Sequence, residues 1–111
     1  MPKRKRKQQP TTEPPAWLEA DAIAAAEWRR VRAALAALGR PIDPTTLAAY
    51  ARSYSRWRQA EADVDKYGPV LKSPNGYPVQ SVYLQIANKA LDQLTKLLRN
   101  FGLTTPERPE R

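Results

Sequence analysis

Hydrophobic positions along the chain fall into three stretches with helical spacing, separated by short segments that contain glycine and proline. The first stretch predicts a helix from about Leu18 to Leu38, because Gly39 and the proline that follows oppose its continuation. The apolar residues of this helix share one broad face, formed by Ile23, Ala24, Trp28, Val31, Ala34, Leu35 and Leu38. A second face carries small side chains, which reflect either helix propensity or close packing against another helix: Ala22, Ala25, Ala26, Ala33, Ala36 and Ala37.

The second stretch predicts a longer helix that begins after Asp43. Aspartate is a favoured N-cap, Pro44 suits the first helical position, and the helix should run to about Tyr67, before a Gly-Pro pair. At about 1.5 Å per residue such a helix spans more than roughly 30 Å, which predicts an elongated molecule. Its narrow apolar seam consists of Leu47, Tyr50, Tyr54, Trp57 and Val64.

A β-hairpin is predicted before the third helix. Asn75-Gly76 lies between short apolar runs, which is a strong hairpin signal, and Pro74 and Pro78 limit the strands to short edge strands. The third helix should span about Ser81 to Phe101 and end at a glycine cap, Gly102. Its apolar face consists of Tyr83, Ile86, Ala87, Ala90, Leu91, Leu94, Leu97, Leu98 and Phe101. The predicted fold class is therefore mainly α: an elongated three-helix subunit with a short β-hairpin between helices two and three.

Two carboxylates interrupt the predicted apolar faces. Glu27 falls in the first helix and Glu61 in the second, and a carboxylate in such a position must pair, become protonated or meet a partner chain. Arg58 flanks the seam of the second helix and could pair with either of them. A pair of catalytic carboxylates is a poor alternative, since no metal motif or substrate site accompanies them.

Composition narrows the function. The chain has 111 residues and a net charge of +8, and it contains neither cysteine nor histidine. Thiol nucleophiles, cysteine and histidine zinc sites and imidazole catalysis are excluded, and the sequence contains no phosphate-binding loop. We therefore predict no enzyme activity, no catalytic residue, no metal and no cofactor. No apolar run has the length of a membrane span, and a small cationic helical chain of this kind favours a polyanion partner.

The ends of the chain differ from its middle in composition. Residues 1–15 are predicted to be a disordered basic arm, residues 16–104 a helical DNA-binding and oligomerisation domain, and residues 105–111 a C-terminal tail. Five consecutive cations in the arm could contact phosphates, although a tail that only improves solubility is the alternative: Lys3, Arg4, Lys5, Arg6 and Lys7. Weaker candidates for DNA contact lie in the helices, where a solvated face is the alternative: Arg29, Arg30, Arg32, Arg52 and Arg56.

Several ordered segments give the chain a resemblance to the bacteriophage terminase small subunit. Trp28-Arg29-Arg30-Val31 and Leu47-Ala48-Ala49-Tyr50 are similar to stretches of that family. The more specific segments are Lys72-Ser73-Pro74-Asn75-Gly76, Asn88-Lys89 and the close Phe101-Gly102-Leu103-Thr104-Thr105-Pro106, which resemble its "K-[ST]-P-N-G", "A-N-K" and "F-G-L-T-P" patterns. The similarity covers about residues 14–108. Members often begin the first helix with Ser-Pro-Glu, whereas this chain has Glu19-Ala20-Asp21, so a weakened helix cap is expected there.

The resemblance implies a role in packaging the viral genome. Small terminases form ring-like oligomers, recognise double-stranded viral DNA and deliver it to the large terminase subunit, which carries the ATPase and nuclease. The expected partners are thus viral DNA, the large subunit and further copies of this chain, without a membrane, in the host bacterial cytoplasm. Two alternatives remain at this point: a small helical regulator or architectural DNA-binding protein, and a structural coiled-coil adaptor.

Overall fold

The computed structural model describes residues 12–103, and within them it shows four helices and one two-stranded antiparallel sheet. The elements follow in the order α1 (Ala16–Glu19), α2 (Ala22–Ala37), α3 (Pro44–Tyr67), β1 (Val70–Lys72), β2 (Pro78–Gln80) and α4 (Val82–Phe101). The mainly helical class and the hairpin between the two longest helices are confirmed. The predicted residues of the arm up to position 11, and those of the tail, lie outside the described range.

The helix predicted from Leu18 to Leu38 is divided in two, which is why four helices replace the expected three. Asp21 has an extended backbone, and its Oδ1 accepts a hydrogen bond from the Ala24 amide at 3.1 Å. This side chain therefore caps α2 at its N-terminus, where the first amides of a helix lack partners. The expectation of a weakened cap in this segment is wrong, because Asp21 itself supplies the cap.

The second predicted helix has the bounds expected for it. Asp43 accepts a hydrogen bond from the Thr46 amide at 2.9 Å, and Pro44 occupies the first helical position of α3. The helix ends at Gly68, whose φ of 92° lies outside the region that other residues readily adopt. Local sequence signals thus fixed both ends of the longest element.

The hairpin and the last helix also follow their local signals. Val70, Leu71 and Lys72 pair with Gln80, Val79 and Pro78, respectively. The Ser81 hydroxyl accepts a hydrogen bond from the Tyr83 amide at 3.0 Å and so caps α4. At the other end Gly102 is left-handed with φ 77°, and Leu103 donates to the Leu98 carbonyl at 3.0 Å, which closes the helix.

Helix α3 forms the spine of the molecule. Helix α4 runs antiparallel along it, since Phe101 packs against Tyr50 at 5.8 Å between ring centroids and Tyr83 packs against Tyr67 at 5.4 Å. Helix α2 covers only the first half of α3, and no residue of α3 beyond Ala60 is buried. The result is an elongated molecule of 69 × 41 × 16 Å. The core lies at the α2 end and consists of Leu18, Ala24, Trp28, Val31, Leu35, Leu47, Ala48, Tyr50, Ala51, Leu94 and Phe101.

The predicted apolar faces are wider than the surfaces buried in one chain. Ile23 and Leu38 on α2, and Ile86 and Leu91 on α4, were assigned to these faces but are exposed. A helix that packs against a single neighbour buries a narrow stripe, so residues at the margins of a broad apolar face stay in solvent. The small second face of α2 is also exposed, apart from Ala25.

Candidate nucleic-acid interface

The cations with the strongest predicted role lie outside the described residues. Lys3 to Lys7 form the basic run of the predicted arm, and the structure describes the chain from residue 12. Residues 13 and 14, which we assigned to the arm, contact the helices: Pro14 is buried, and Glu13 forms an ion pair with α2. The five helical arginines can therefore be compared by their surroundings, whereas the basic run stays a prediction.

Arg29 is held by two carboxylates. Its Nη2 lies 2.6 Å from Oε1 of Glu13 and 2.8 Å from Oε2 of Glu19. Glu13 lies in the segment before α1, and Glu19 is the last residue of α1. The hydrogen bond from the guanidinium to Glu13 raises the pKa of Arg29, and that to Glu19 acts in the same direction. Two negative charges surround one positive charge, so this arginine offers little net attraction to a phosphate.

Arg30 forms a bidentate pair with Glu27. Its Nη2 lies 2.6 Å from Oε2 and its Nε 2.8 Å from Oε1 of that carboxylate, which is 4% exposed. The Tyr50 hydroxyl donates a second hydrogen bond to Oε2 from α3. The expectation that Arg58 could pair with Glu27 is wrong. Arg30 lies three residues after Glu27 on the same helix and binds both of its carboxylate oxygens.

Arg52 is half-buried, which does not fit a fully solvated face as the alternative to DNA contact. Its Nε lies 3.5 Å from Oδ2 of Asp21, and its guanidinium stacks on the Trp17 ring at 5.4 Å from the centroid. Within the described part of the chain that Nε atom has no hydrogen-bond acceptor. The side chain thus fastens α1 and the start of α2 to α3, and this structural role competes with a role in DNA contact.

The last two helical candidates differ from one another. Arg32 is half-buried and has an interaction partner of its own. Arg56 is exposed on α3 and forms no ion pair among residues 12–103. Since Arg29, Arg30 and Arg52 are held by carboxylates, Arg56 is the helical candidate with the least local compensation for its charge. Arg29, Arg30 and Arg52 each pair with different carboxylates, so these three side chains do not share one ion-pair cluster.

Glu61 has a different partner from the one predicted. The Trp57 indole Nε1 donates a hydrogen bond to its Oε2 at 3.1 Å, whereas Arg58 donates to the Tyr54 hydroxyl at 3.0 Å. The expected pair of Glu61 and Arg58 is therefore wrong. Trp57 and Arg58 lie four and three residues before Glu61, so helical spacing allows either contact. The Trp57 indole makes it, whereas the Arg58 guanidinium donates to Tyr54, four residues before it.

Two carboxylates that form ion pairs with Arg29 were not predicted from the sequence. Glu13 and Glu19 lie 16 and 10 residues before Arg29, outside the spacing of neighbours on one helix. Only the break between α1 and α2 brings them to the guanidinium, so helical periodicity contained no signal for the contact. Residues 12–103 also hold no cluster of three metal-ligating side chains. Within that range no helix is long and apolar enough to cross a bilayer.

Comparison with known proteins places the sequence in context. The sequence model of the family described as "Phage terminase, small subunit" matches residues 24–110, which is most of the chain. No individual curated protein and no solved structure matches the chain. The match covers α3, the hairpin, α4 and all of α2 except its first two residues.

Proposed function

This chain belongs to the phage terminase small subunit family, and from that membership we propose that it recognises viral DNA and delivers it to the large terminase subunit for genome packaging. The single observation that carries the proposal is the match over residues 24–110. The subunit acts as a homo-oligomer, ring-like in form, and is not itself an enzyme. Its place of action is the cytoplasm of the infected host bacterium.

Charge supports DNA as the partner. The chain carries 19 lysine and arginine residues against 11 aspartate and glutamate residues. Much of the helical positive charge is compensated, because Arg29, Arg30 and Arg52 lie beside carboxylates. We therefore propose that the basic arm, Lys3 to Lys7, makes the principal phosphate contacts, with Arg56 as an additional contact on α3.

The helices favour this function over the helical regulator. Helices α2, α3 and α4 have 16, 24 and 20 residues. A helix-turn-helix reader instead places one recognition helix after a tight turn so that it enters the major groove. The long antiparallel pair of α3 and α4 suits an extended scaffold to which a separate DNA-binding segment is attached.

The proposal is tested with purified full-length protein and two duplexes of equal length. One duplex carries the packaging start of the phage genome and the other is a scrambled sequence. Fluorescence anisotropy should show tighter binding to the first, and the purified large subunit should join the complex. Equal affinity for both duplexes together with no association with the large subunit would contradict the proposed role. ATP hydrolysis should appear only when the large subunit is added.

A further inference from the structure

One end of the molecule carries an apolar surface that no part of the described chain covers. On α4, Val82 and Ile86 are exposed one helical turn apart. Val79 on β2 is exposed three residues before Val82, and Tyr67 is exposed at the end of α3, where its ring stacks on Tyr83 in the first turn of α4. We call these four exposed residues, Tyr67, Val79, Val82 and Ile86, the distal apolar surface. Contiguous exposed apolar residues of this kind mark interaction sites.

A second apolar surface lies on α2, which packs against the half of α3 that is farther from the hairpin. Helix α2 packs on the first half of α3, and its outward side is apolar apart from two arginines that are held by carboxylates. Ile23 and Leu38 are exposed near its ends, and exposed alanines lie between them. We call Ile23, Ala26, Ala33, Ala37 and Leu38 the outer face of α2. The two surfaces belong to different ends of an elongated subunit, so neither can cover the other within one chain.

We propose that the distal apolar surface of one copy of this chain packs against the outer face of α2 of the next copy. The branched side chains of Val82 and Ile86 are exposed, and Ala26 and Ala33, which flank Arg30 on the outer face, have small side chains, so an apolar contact can form beside that arginine. Such a head-to-tail contact uses two different surfaces and therefore propagates from copy to copy until it closes.

Charge favours the same orientation. Residues 12–60 carry seven arginines against five carboxylates, whereas residues 61–92 carry four carboxylates against three lysines. Asp63 and Asp65 near the distal surface would approach Arg30 on the outer face of the neighbouring copy, and Arg30 remains 64% exposed although it pairs with Glu27. Unlike ends thus attract, while two α2 ends placed together would repel each other.

This inference rests on the proposed function, which it deepens by naming the surfaces of assembly. The test uses the full chain and two variants: Ile86→Lys in the distal surface and Ala33→Arg in the outer face. Leu91→Lys is the matched control, because Leu91 is 40% exposed against 44% for Ile86 and lies on the opposite flank of α4. Native mass spectrometry and sedimentation velocity report the assembly, and circular dichroism confirms that each variant keeps its helices.

The wild-type chain and Leu91→Lys should form assemblies larger than dimers, and each of the two interface variants should weaken association by at least roughly thirtyfold. The decisive sample is a mixture of the two variants. Each retains one intact surface, so they should form a one-to-one dimer and nothing larger. Loss of assembly in Ile86→Lys but not in Ala33→Arg would overturn the proposal, because the distal surface would then pack on itself or elsewhere. An equal effect of Leu91→Lys, or a wild-type monomer at micromolar concentration, would overturn it as well.

DNA binding is recorded for the same samples so that the two proposals can fail separately. Normal assembly without affinity for duplex DNA would refute the proposed function and leave the docking surfaces in place. If the interface variants assemble like the wild type and still bind DNA in a salt-sensitive way, only the proposal of the docking surfaces is refuted.

Discussion

The Tyr50 hydroxyl on α3 donates a hydrogen bond to the Glu27 carboxylate on α2, and this contact joins the two helices at a buried charge. Arg30 supplies the compensating positive charge from the solvent side with two further hydrogen bonds. A buried carboxylate is tolerated only when its oxygens are paired in this way. The three side chains therefore form one unit in which the loss of a partner leaves a charge without compensation.

Replacing Tyr50 with phenylalanine should destabilise the fold by about 1–3 kcal/mol, because Glu27 loses a donor in a buried position. Tyr54→Phe is the matched control, since its hydroxyl accepts a hydrogen bond from Arg58 at an exposed position. That change should cost less than about 0.5 kcal/mol. Urea unfolding followed by circular dichroism measures both values, and equal losses would show that the contact with Glu27 contributes nothing particular.

The same tyrosine should make stability sensitive to alkaline pH. Burial raises the pKa of Tyr50 above its ordinary value, and the hydrogen bond to Glu27 raises it further. Above about pH 10 the unfolded chain releases this proton while the folded chain retains it, so stability is full below that pH and falls as pH rises. Tyr50→Phe should show a shallower decline between pH 9 and 11, measured by urea unfolding at each pH. An identical decline in both proteins would contradict the assignment.

Asp21→Ala should cost more stability than Asp43→Ala, although both residues are N-caps. Loss of a cap costs about 1 kcal/mol. Asp21 also accepts a hydrogen bond from Ser55 at 2.7 Å and lies beside Arg52, whereas the cap contacts of Asp43 are confined to Thr46. Thermal unfolding of the two variants gives the difference. A smaller loss for Asp21→Ala would mean that its contacts to α3 are not stabilising.

Gly102→Ala should be more harmful than Gly39→Ala. Both glycines have positive φ, so alanine costs about 1 kcal/mol at either site. A methyl group at Gly102 would also collide with the Arg40 guanidinium, which donates to the Phe101 carbonyl, whereas Gly39 has open space around it. In an Arg40→Ala background the two glycine substitutions should become equal. Persistence of the difference in that background would assign it to another cause.

Deleting residues 1–10 should lower the salt dependence of DNA binding. Each neutralised phosphate contributes roughly 0.9 to the slope of log K against log salt, so loss of the five cations should reduce the slope by up to about four. Affinity for specific and random duplexes should fall by similar factors, because phosphate contacts carry no base information. A salt titration of both proteins on both duplexes is the measurement. An unchanged slope would assign the arm to solubility and move the DNA site to the helices.

Features governed by neighbouring residues in the chain could be predicted from the sequence. Asp43 and Gly102 fix the ends of two helices through contacts a few residues away, and Asn75-Gly76 fixes the hairpin. The break at Asp21, which divides the first predicted helix into α1 and α2, could not be predicted in the same way. Its carboxylate caps α2 locally but also binds Ser55, which lies 34 residues away. That second contact exists only after α2 and α3 have packed.

In the candidate site, too, contacts between residues far apart in the chain could not be predicted from the sequence. The arginines were visible as charges, but whether a charge is available to DNA depends on its neighbours in space. Arg29 is compensated by Glu13 and Glu19, which reach it only because the chain turns between α1 and α2. The partner of Glu61 could not be predicted because Trp57 and Arg58 both lie within one turn of it, and helical spacing does not choose between the two donors.

The short reach of α2 along the spine has a consequence for local opening. Among residues 12–103, the part of α3 beyond Ala60 contains no buried residue, while the first half of α3 packs on α2 as well as on α4. Amide hydrogens of the far half should therefore exchange with solvent through openings of lower free energy than those of the near half. A neighbouring copy seated on Val82 and Ile86 would slow that exchange, so the two-helix end of the subunit would be completed only by its assembly.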